Sequence, residues 1–353
     1  MTRFWEKKRV LITGHTGFKG SWLSIRLREE GADLLGVGLK SRHALDNFSV
    51  SGLESKVTTA YQDIRDFEGL SRIFRDFKPE IVFHLAAQSL VATSYDRPKE
   101  TFETNTMGTL HVLEAIRRCP AVKSAVLITS DKCYQNVERV LGYREEDRLG
   151  GDDPYSASKA AAELVIQSYR QCYFNDGRPL IASCRAGNVV GGGDWSEHRI
   201  VPDCFRSLFA GNPVVIRNPK ATRPWQFVLE PLRGYMMLAE KLFDGQRKFS
   251  AAWNFGPSLE KAYTVQEVTD AILKDWGGGK VMIEPNPLFH ESNLLQLDCA
   301  KAGRELGWKP RLTFEESIRW TTQWYKALRA DPKKEMYDFC VRQIRDYRGT
   351  ETE

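Results

Sequence analysis

At 353 residues, 42% apolar and 27% charged, the chain is long enough for one large domain or two coupled ones and has a soluble enzyme's composition. No run approaches the roughly 18 uninterrupted apolar residues of a membrane helix, and the opening Met1-Thr-Arg-Phe-Trp-Glu-Lys-Lys has no signal-peptide core. The net charge of +5 is spread rather than bunched, which disfavours nucleic acid and suits an anionic small molecule at least as well.

Seven cysteines without paired spacing argue against a disulfide framework, and no Cys/His cluster has zinc spacing. Reduced thiols in the cytoplasm are the simplest reading. Cys133 reads as a small packed residue rather than a nucleophile.

The first predicted strand, Arg9-Val-Leu-Ile-Thr13, runs directly into Gly14-x-x-Gly17-x-x-Gly20, which opens a helix over 18–30. Glycines there permit a tight turn and close approach of a diphosphate, and a helix N-terminus attracts phosphate. Thr13 and His15 are expected to support the turn. After the second strand, Asp33-Leu-Leu-Gly-Val37, a carboxylate is expected for an adenosine ribose. The sequence instead reads Val37-Gly-Leu-Lys40-Ser-Arg42, so NAD and NADP both stay open on local grounds. Asp63-Ile64 is either an adenine bracket or a surface turn.

A helix over 67–77 leads to the strand Ile81-Val-Phe-His-Leu85. The next helix, 98–118, shows an amphipathic period through Phe102, Thr109, Val112, Leu113 and Ile116. Asn105 lies in its middle, where asparagine is unfavourable unless a buried or cofactor-side hydrogen bond holds it. The run Ser124-Ala-Val-Leu-Ile-Thr129 then delivers Ser130-Asp131-Lys132 to a strand end: a hydroxyl, a carboxyl and an amine in a row.

A helix over 154–175, with Asp152 or Asp153 as cap and Pro154 in its first turn, carries Tyr155 and Lys159 four apart on one face. A nearby ammonium is expected to lower a tyrosine pKa from about 10 towards working range, making a general base for an alcohol. The strand Leu180-Ile-Ala-Ser-Cys184 follows. Runs separated by helices predict a parallel sheet covered on both faces. The expected class is α/β, a Rossmann-type doubly wound sheet with a smaller, loop-rich C-terminal lobe.

The domain expectation is 1–189 for the dinucleotide-binding part, with a segment near 228–252 returning to it, and 190–353 mainly for the lobe. Gly191-Gly-Gly-Asp194 and scattered prolines mark the change of texture. Arg185, Asn188, Arg199, Arg223 and Gln226 are candidates for a diphosphate-bearing substrate, since arginine matches phosphate through its bidentate fork.

These motifs resemble those of the extended short-chain dehydrogenase/reductases that act on nucleotide sugars, and more narrowly of the CDP-glucose 4,6-dehydratases. The likeness rests on Phe4-Trp-Glu, Arg9 through Trp22, Thr129-Ser-Asp-Lys-Cys-Tyr134, Arg223-Pro-Trp-Gln226, Leu229-Glu-Pro231, His290 through Asp298 and Leu306-Gly-Trp-Lys-Pro310. It implies NAD as cofactor, reduced and reoxidised within one turnover, and CDP-glucose as substrate. It assigns the cofactor to Gly14, Thr16, Gly17, Phe18, Gly20, Asp63, Ile64, Leu85, Ala86, Ala87 and Asn105, with Tyr155 and Lys159. The substrate falls to Gln88, Asn188, Arg199, Arg223, Gln226 and His290.

By the same resemblance Tyr155, helped by Lys159 and Ser130, deprotonates the 4-hydroxyl as hydride leaves carbon 4. Asp131 is the acid for the departing 6-hydroxyl, and Lys132 is the expected carbon-5 base. A lysine in that role needs burial or a neighbouring positive charge. Other nucleotide-sugar dehydratases carry Asp-Glu at this place. A 4-epimerase or reductase would need the tyrosine, lysine and hydroxyl but not the pair Asp131-Lys132. A nucleotide-binding scaffold would need none of them. The resemblance also implies a homodimer or homotetramer built through the helices 98–118 and 154–175, and a role in surface polysaccharide synthesis.

Overall fold

The apolar runs become adjacent strands in a computed structural model, which describes residues 4–350 except 42, 140, 176, 178, 260 and 285–293. They are β1 (Arg9–Thr13), β2 (Asp33–Gly38), β3 (Thr58–Tyr61), β4 (Ile81–His84), β5 (Ser124–Ile128), β6 (Leu180–Arg185) and β7 (Ala252–Asn254). All pair in parallel, in the order β7-β6-β5-β4-β1-β2-β3. The order reverses between β1 and β4, which leaves a crevice at their carboxyl ends where ligands of such sheets bind.

The helices that cover the sheet include α1 (Phe18–Glu29), α2 (Phe67–Phe77), α3 (Gly108–Arg117), α4 (Pro154–Cys172) and α5 (Leu229–Phe243). Alternate strand residues feed two cores. Val10, Ile12, Phe83 and Val126 pack with Trp22 and Leu23 of α1 and Leu232 and Tyr235 of α5. Leu11, Val82, Ala125 and Leu127 pack with Phe74 of α2, Ile116 of α3 and Ile166 of α4. Burial on both faces explains why these strands read as continuous apolar runs rather than alternating ones.

The helix expected over 98–118 is instead three pieces: Pro98–Phe102, a π-helical turn Glu103–Met107, and α3. Asn105 sits in the π turn, a local widening common beside functional sites. Asp153 is the observed cap of α4, accepting from the Ser156 N–H at 2.9 Å.

The lobe over the carboxyl edge holds three short strand pairs: 189–190 with 226–227, 222–223 with 263–264, and 214–216 with 281–283. Two of its helices, Val265–Trp276 and Phe314–Ala330, start in reciprocal capping boxes, Thr264/Glu267 and Thr313/Glu316. The segment after 228 supplies α5 and β7 to the main sheet. The last helix, Tyr337–Gly349, also returns, packing against α1 with the Tyr347 hydroxyl donating to Glu230 at 2.7 Å.

Candidate active site

The glycine turn is tied to the chain leaving β4. Gly14 has φ +75°, and a Cβ there would stand 2.6 Å from the Ala86 nitrogen; one at Gly20 would stand 2.1 Å from the Gly14 oxygen. Gly17 caps α1 with no side-chain hydrogen bond and no acidic residue in the first turn. The first N–H groups of α1 are therefore left for an anion, which suits a dinucleotide diphosphate. His15 lies over Gly36 and Thr16 against Gly38, where any β-carbon would collide with them. The His15 ring stacks on Phe48 and its Nε2 meets the Thr59 hydroxyl at 3.1 Å; burial drives its pKa down to about 4. Thr13 bonds His84 Nδ1 at 2.7 Å, so both residues support the turn.

Along this crevice Leu85, Ala86, Ala87 and Gln88 follow β4, half-buried. Phe18 faces Gly191, and Ile64 fills the space that Gly108 leaves open. Asp63 is held by Arg65 at 2.6 Å. Arg42 lies outside the described residues, and the Lys40 ammonium is 5.8 Å from the Tyr61 ring. Asn105 is fully engaged: it accepts from the Gln88 N–H at 2.9 Å and donates to the Gln88 carbonyl and the Ser158 hydroxyl, each at 2.9 Å. Gln88 was expected to reach substrate. Its amide is instead used within its own loop, bonding both backbone groups of Leu90 and the Thr101 hydroxyl.

The proton-handling groups converge at the end of β5. Ser130 caps a single 3-10 turn, Asp131–Cys133; its hydroxyl donates to Asp131 Oδ1 at 2.9 Å and accepts from the Lys132 N–H at 3.2 Å. Asp131 is 3% exposed. Its Oδ2 is buried without a hydrogen-bond partner among the described residues and abuts Gly187, where a Cβ would stand 1.8 Å away. Tyr155, in the first turn of α4, lies beside the Ser130 hydroxyl, which favours its phenolate. Lys132 is half-buried.

The electrostatics differ from the expectation in one respect. Burial pushes Tyr155 up to about 12, against the Ser130 hydroxyl, and Lys159 is not among the groups that lower it. Lys159 instead points its ammonium at the Ile128 carbonyl, 3.4 Å away, and is itself depressed to about 7 by burial and by Lys19. Spacing places two side chains on one helical face, but desolvation in a closed site outweighs their attraction. Unfolding would return Lys159 to near 10.5, so between about pH 7 and that value the unfolded chain binds more protons. Stability is expected to rise with pH through this window, by on the order of 2 kcal/mol from pH 7 to 9. Thermal melts of Lys159→Met should show a flatter rise; an unchanged slope would mean another group titrates.

Lys19 and Asp194 escaped the sequence reading. Lys19 leaves the first turn of α1 and is lowered to about 8 by burial and by Arg199, against Asp131 and Asp194. A charged residue inside a glycine loop was the available signal. Arg199 bridges the lobe to the β4 exit, pairing with Asp194 at 3.1 Å and donating to the Ser89 carbonyl at 3.1 Å. Gln226 is buried, its amide donating to the Gly187 and Phe255 carbonyls at 3.2 and 2.8 Å. Its Oε1 is buried without a partner among the described residues. Asn188 takes a left-handed φ of +48° and its carbonyl accepts from the Gln226 N–H. Arg223 is half-buried and donates to the Thr222 carbonyl. Arg185 does not face a substrate: it is buried in an ion pair with Glu163. His290 lies outside the described residues.

The family profile described as GDP-mannose 4,6 dehydratase matches residues 11–321. A CDP-glucose 4,6-dehydratase of Salmonella typhimurium is 46% identical, over 99% of this chain and 98% of that one. A crystal structure of Thermus thermophilus UDP-glucose 4-epimerase in complex with NAD superposes with a TM-score of 0.77 at 28% identity, covering 90% of this chain and 99% of that one. A dTDP-glucose 4,6-dehydratase of Streptomyces venezuelae shares the fold, with a TM-score of 0.79 at 24% identity over 92% and 100% of the two chains. With a glycine turn, a Ser130–Tyr155 contact and a buried carboxylate at one sheet edge, the chain belongs to the nucleotide-sugar 4,6-dehydratase family of the extended short-chain dehydrogenase/reductases.

Proposed function

We propose that this protein dehydrates CDP-D-glucose to CDP-4-keto-6-deoxy-D-glucose with NAD as its internal cofactor. The observation that carries the reading is Asp131, a buried carboxylate with one oxygen unpartnered among the described residues, hydrogen-bonded to the serine beside Tyr155. An epimerase has no need of a carboxylic acid there, whereas elimination of a hydroxyl does. The choice of nucleotide is supported by the 46% identity to the Salmonella enzyme.

The uncapped first turn of α1 fits the cofactor diphosphate, with Gly14, Thr16, Gly17, Phe18 and Gly20 around it, Asp63 and Ile64 on the adenine side, and Leu85, Ala86, Ala87 and Asn105 lining the crevice. NAD supplies a two-electron acceptor that is restored at the end of each cycle. Tyr155 takes the 4-hydroxyl proton and Ser130 holds the phenol in place. The Lys159 ammonium adds positive charge beside them. Once carbon 4 is a ketone, Lys132 removes the acidified proton from carbon 5, and Asp131 protonates the leaving 6-hydroxyl to give water. Carbon 6 then regains the hydride that left carbon 4 as Lys132 returns a proton to carbon 5, giving the 6-deoxy ketone. Asn188, Arg199, Arg223 and Gln226 form the lobe's side of the nucleotide-sugar site.

Incubation with CDP-glucose is expected to give a product lighter by one water, carrying solvent deuterium when run in D2O. A product of unchanged mass would make the protein an epimerase, and no conversion would defeat the reading. Lys132→Met is expected to slow solvent exchange at carbon 5 by at least tenfold, a size typical of a lost general base. Exchange at full rate would leave Lys132 a binding role.

The assembly proposed is a homodimer through the helical face of residues 98–117 and α4, or a homotetramer of two such dimers. Phe102, Met107 and Leu164 are large exposed apolar side chains on that face. Leu164→Glu should halve the mass seen in light scattering. No helix among the described residues is long and apolar enough to cross a membrane. The seven cysteines are all unpaired, which supports a reducing cytoplasm. The keto sugar is proposed to feed surface polysaccharide such as lipopolysaccharide O-antigen.

A further inference from the structure

Beneath the proton-handling groups lies a buried ion pair with no part in the chemistry above. Glu163 stands on α4 one turn beyond Lys159 and two beyond Tyr155, and Arg185 ends β6. Each is 3% exposed, and they meet at 2.8 Å. Their remaining bonds are directed. Ser183 donates to Glu163 Oε2 at 2.8 Å, and Thr129 donates to Oε1. Arg185 donates to the Tyr134 hydroxyl at 2.7 Å and the Glu145 carbonyl at 2.9 Å, and Tyr134 in turn donates to Asn254 at 2.8 Å.

Thr129 immediately precedes Ser130, and Tyr134 immediately follows the turn Asp131–Cys133. The network therefore grips both ends of the segment that carries Ser130, Asp131 and Lys132. It holds that segment against the helix that carries Tyr155 and Lys159. Packing alone would not require charge, because a buried ion pair is often no more stabilising than apolar residues of the same volume. Apolar side chains would, however, lack the directed bonds that fix two elements in register.

We propose that Glu163 and Arg185 are positioning residues for the proposed dehydration, setting the Ser130–Asp131 segment against the Tyr155 phenol through Thr129 and Tyr134. Glu163 also faces Lys159. Around that ammonium stand Lys19 from α1, His84 from β4, Cys133 from the turn after β5 and Glu163 on its own helix. Of these, Glu163 and Cys133 favour the charged form, while burial and Lys19 oppose it.

The test uses the full chain with Thr129→Val, Thr129→Ser and Glu163→Gln, after wild-type turnover of CDP-glucose has been measured. Thr129→Val keeps the side-chain shape and loses one donor. It is expected to lower kcat about tenfold with KM within twofold, in line with the cost of small misplacements, and Thr129→Ser to restore it. Glu163→Gln removes a charge that favours the Lys159 ammonium, so the alkaline limb of kcat should move to lower pH. Thr129→Val with wild-type kcat and pH profile, whatever its melting temperature, would overturn the proposal. If Glu163→Gln does not fold, the Thr129 pair decides alone. If the wild type does not turn over CDP-glucose, the functional reading fails separately. The positioning pair is then judged by hydrogen–deuterium exchange of the segment 129–134, which Thr129→Val should speed and Thr129→Ser restore; unchanged exchange would sink it.

Discussion

Tyr155→Phe is expected to lower kcat on CDP-glucose by about 10²–10⁴-fold, the range of a lost general acid or base. The ring sits in the first turn of α4 with only 7% exposure, so phenylalanine preserves its packing and removes one hydroxyl. That hydroxyl lies beside Ser130, which donates to Asp131 at 2.9 Å. The phenol therefore stands at the head of the Ser130–Asp131 pair. Burial holds it up to about 12, against the opposing influence of Ser130 and the Arg199 guanidinium. Oxidation at carbon 4 precedes elimination in the proposed sequence, so solvent exchange at carbon 5 should fall in step with kcat. A variant that still exchanged carbon 5 at the wild-type rate would remove Tyr155 from the first step.

The pattern of what could be read in the chain follows from which interactions are local. β1, β4, β5 and β6 are unbroken apolar runs because helices cover both faces, and their ends were legible to within a residue or two. β3, Thr58-Thr-Ala-Tyr61, lies at the sheet edge with mixed exposure, and β7 is three residues long. Neither carries a period to detect. Gly14, Gly17, Gly20, Ser130 and Tyr155 sit at element ends, where a motif and its structural context are contiguous in sequence. Arg185 was misread for the opposite reason. Its partner Glu163 is 22 residues away on another element, and nothing in the sequence distinguishes an arginine that meets phosphate from one neutralised beneath the sheet edge. Gln88 shows the same limit on a smaller scale, since a loop that turns back on its own glutamine leaves no periodic trace.

Asp131→Asn is expected to separate the two halves of the reaction. Water loss should fall by about 10²–10³-fold, because the amide cannot give the leaving 6-hydroxyl a proton, while deuterium exchange at carbon 5 continues. The same separation should follow from a change that leaves the carboxyl chemically intact. Gly187 is packed so closely that a β-carbon would lie 1.8 Å from Asp131 Oδ2 and 2.1 Å from its carboxyl carbon. The atoms met are the end of the Asp131 side chain, so Gly187→Ala should displace the carboxyl rather than disrupt the chain leaving β6. The backbone at Gly187 permits this: its φ is not positive, and its carbonyl still accepts from Gln226. If Gly187→Ala loses water elimination and keeps carbon-5 exchange, the acid acts through its placement as well as its presence. If Asp131→Asn instead slows exchange and elimination equally, the carboxylate belongs to the oxidation step, and the feature that sets this site apart from an epimerase is gone.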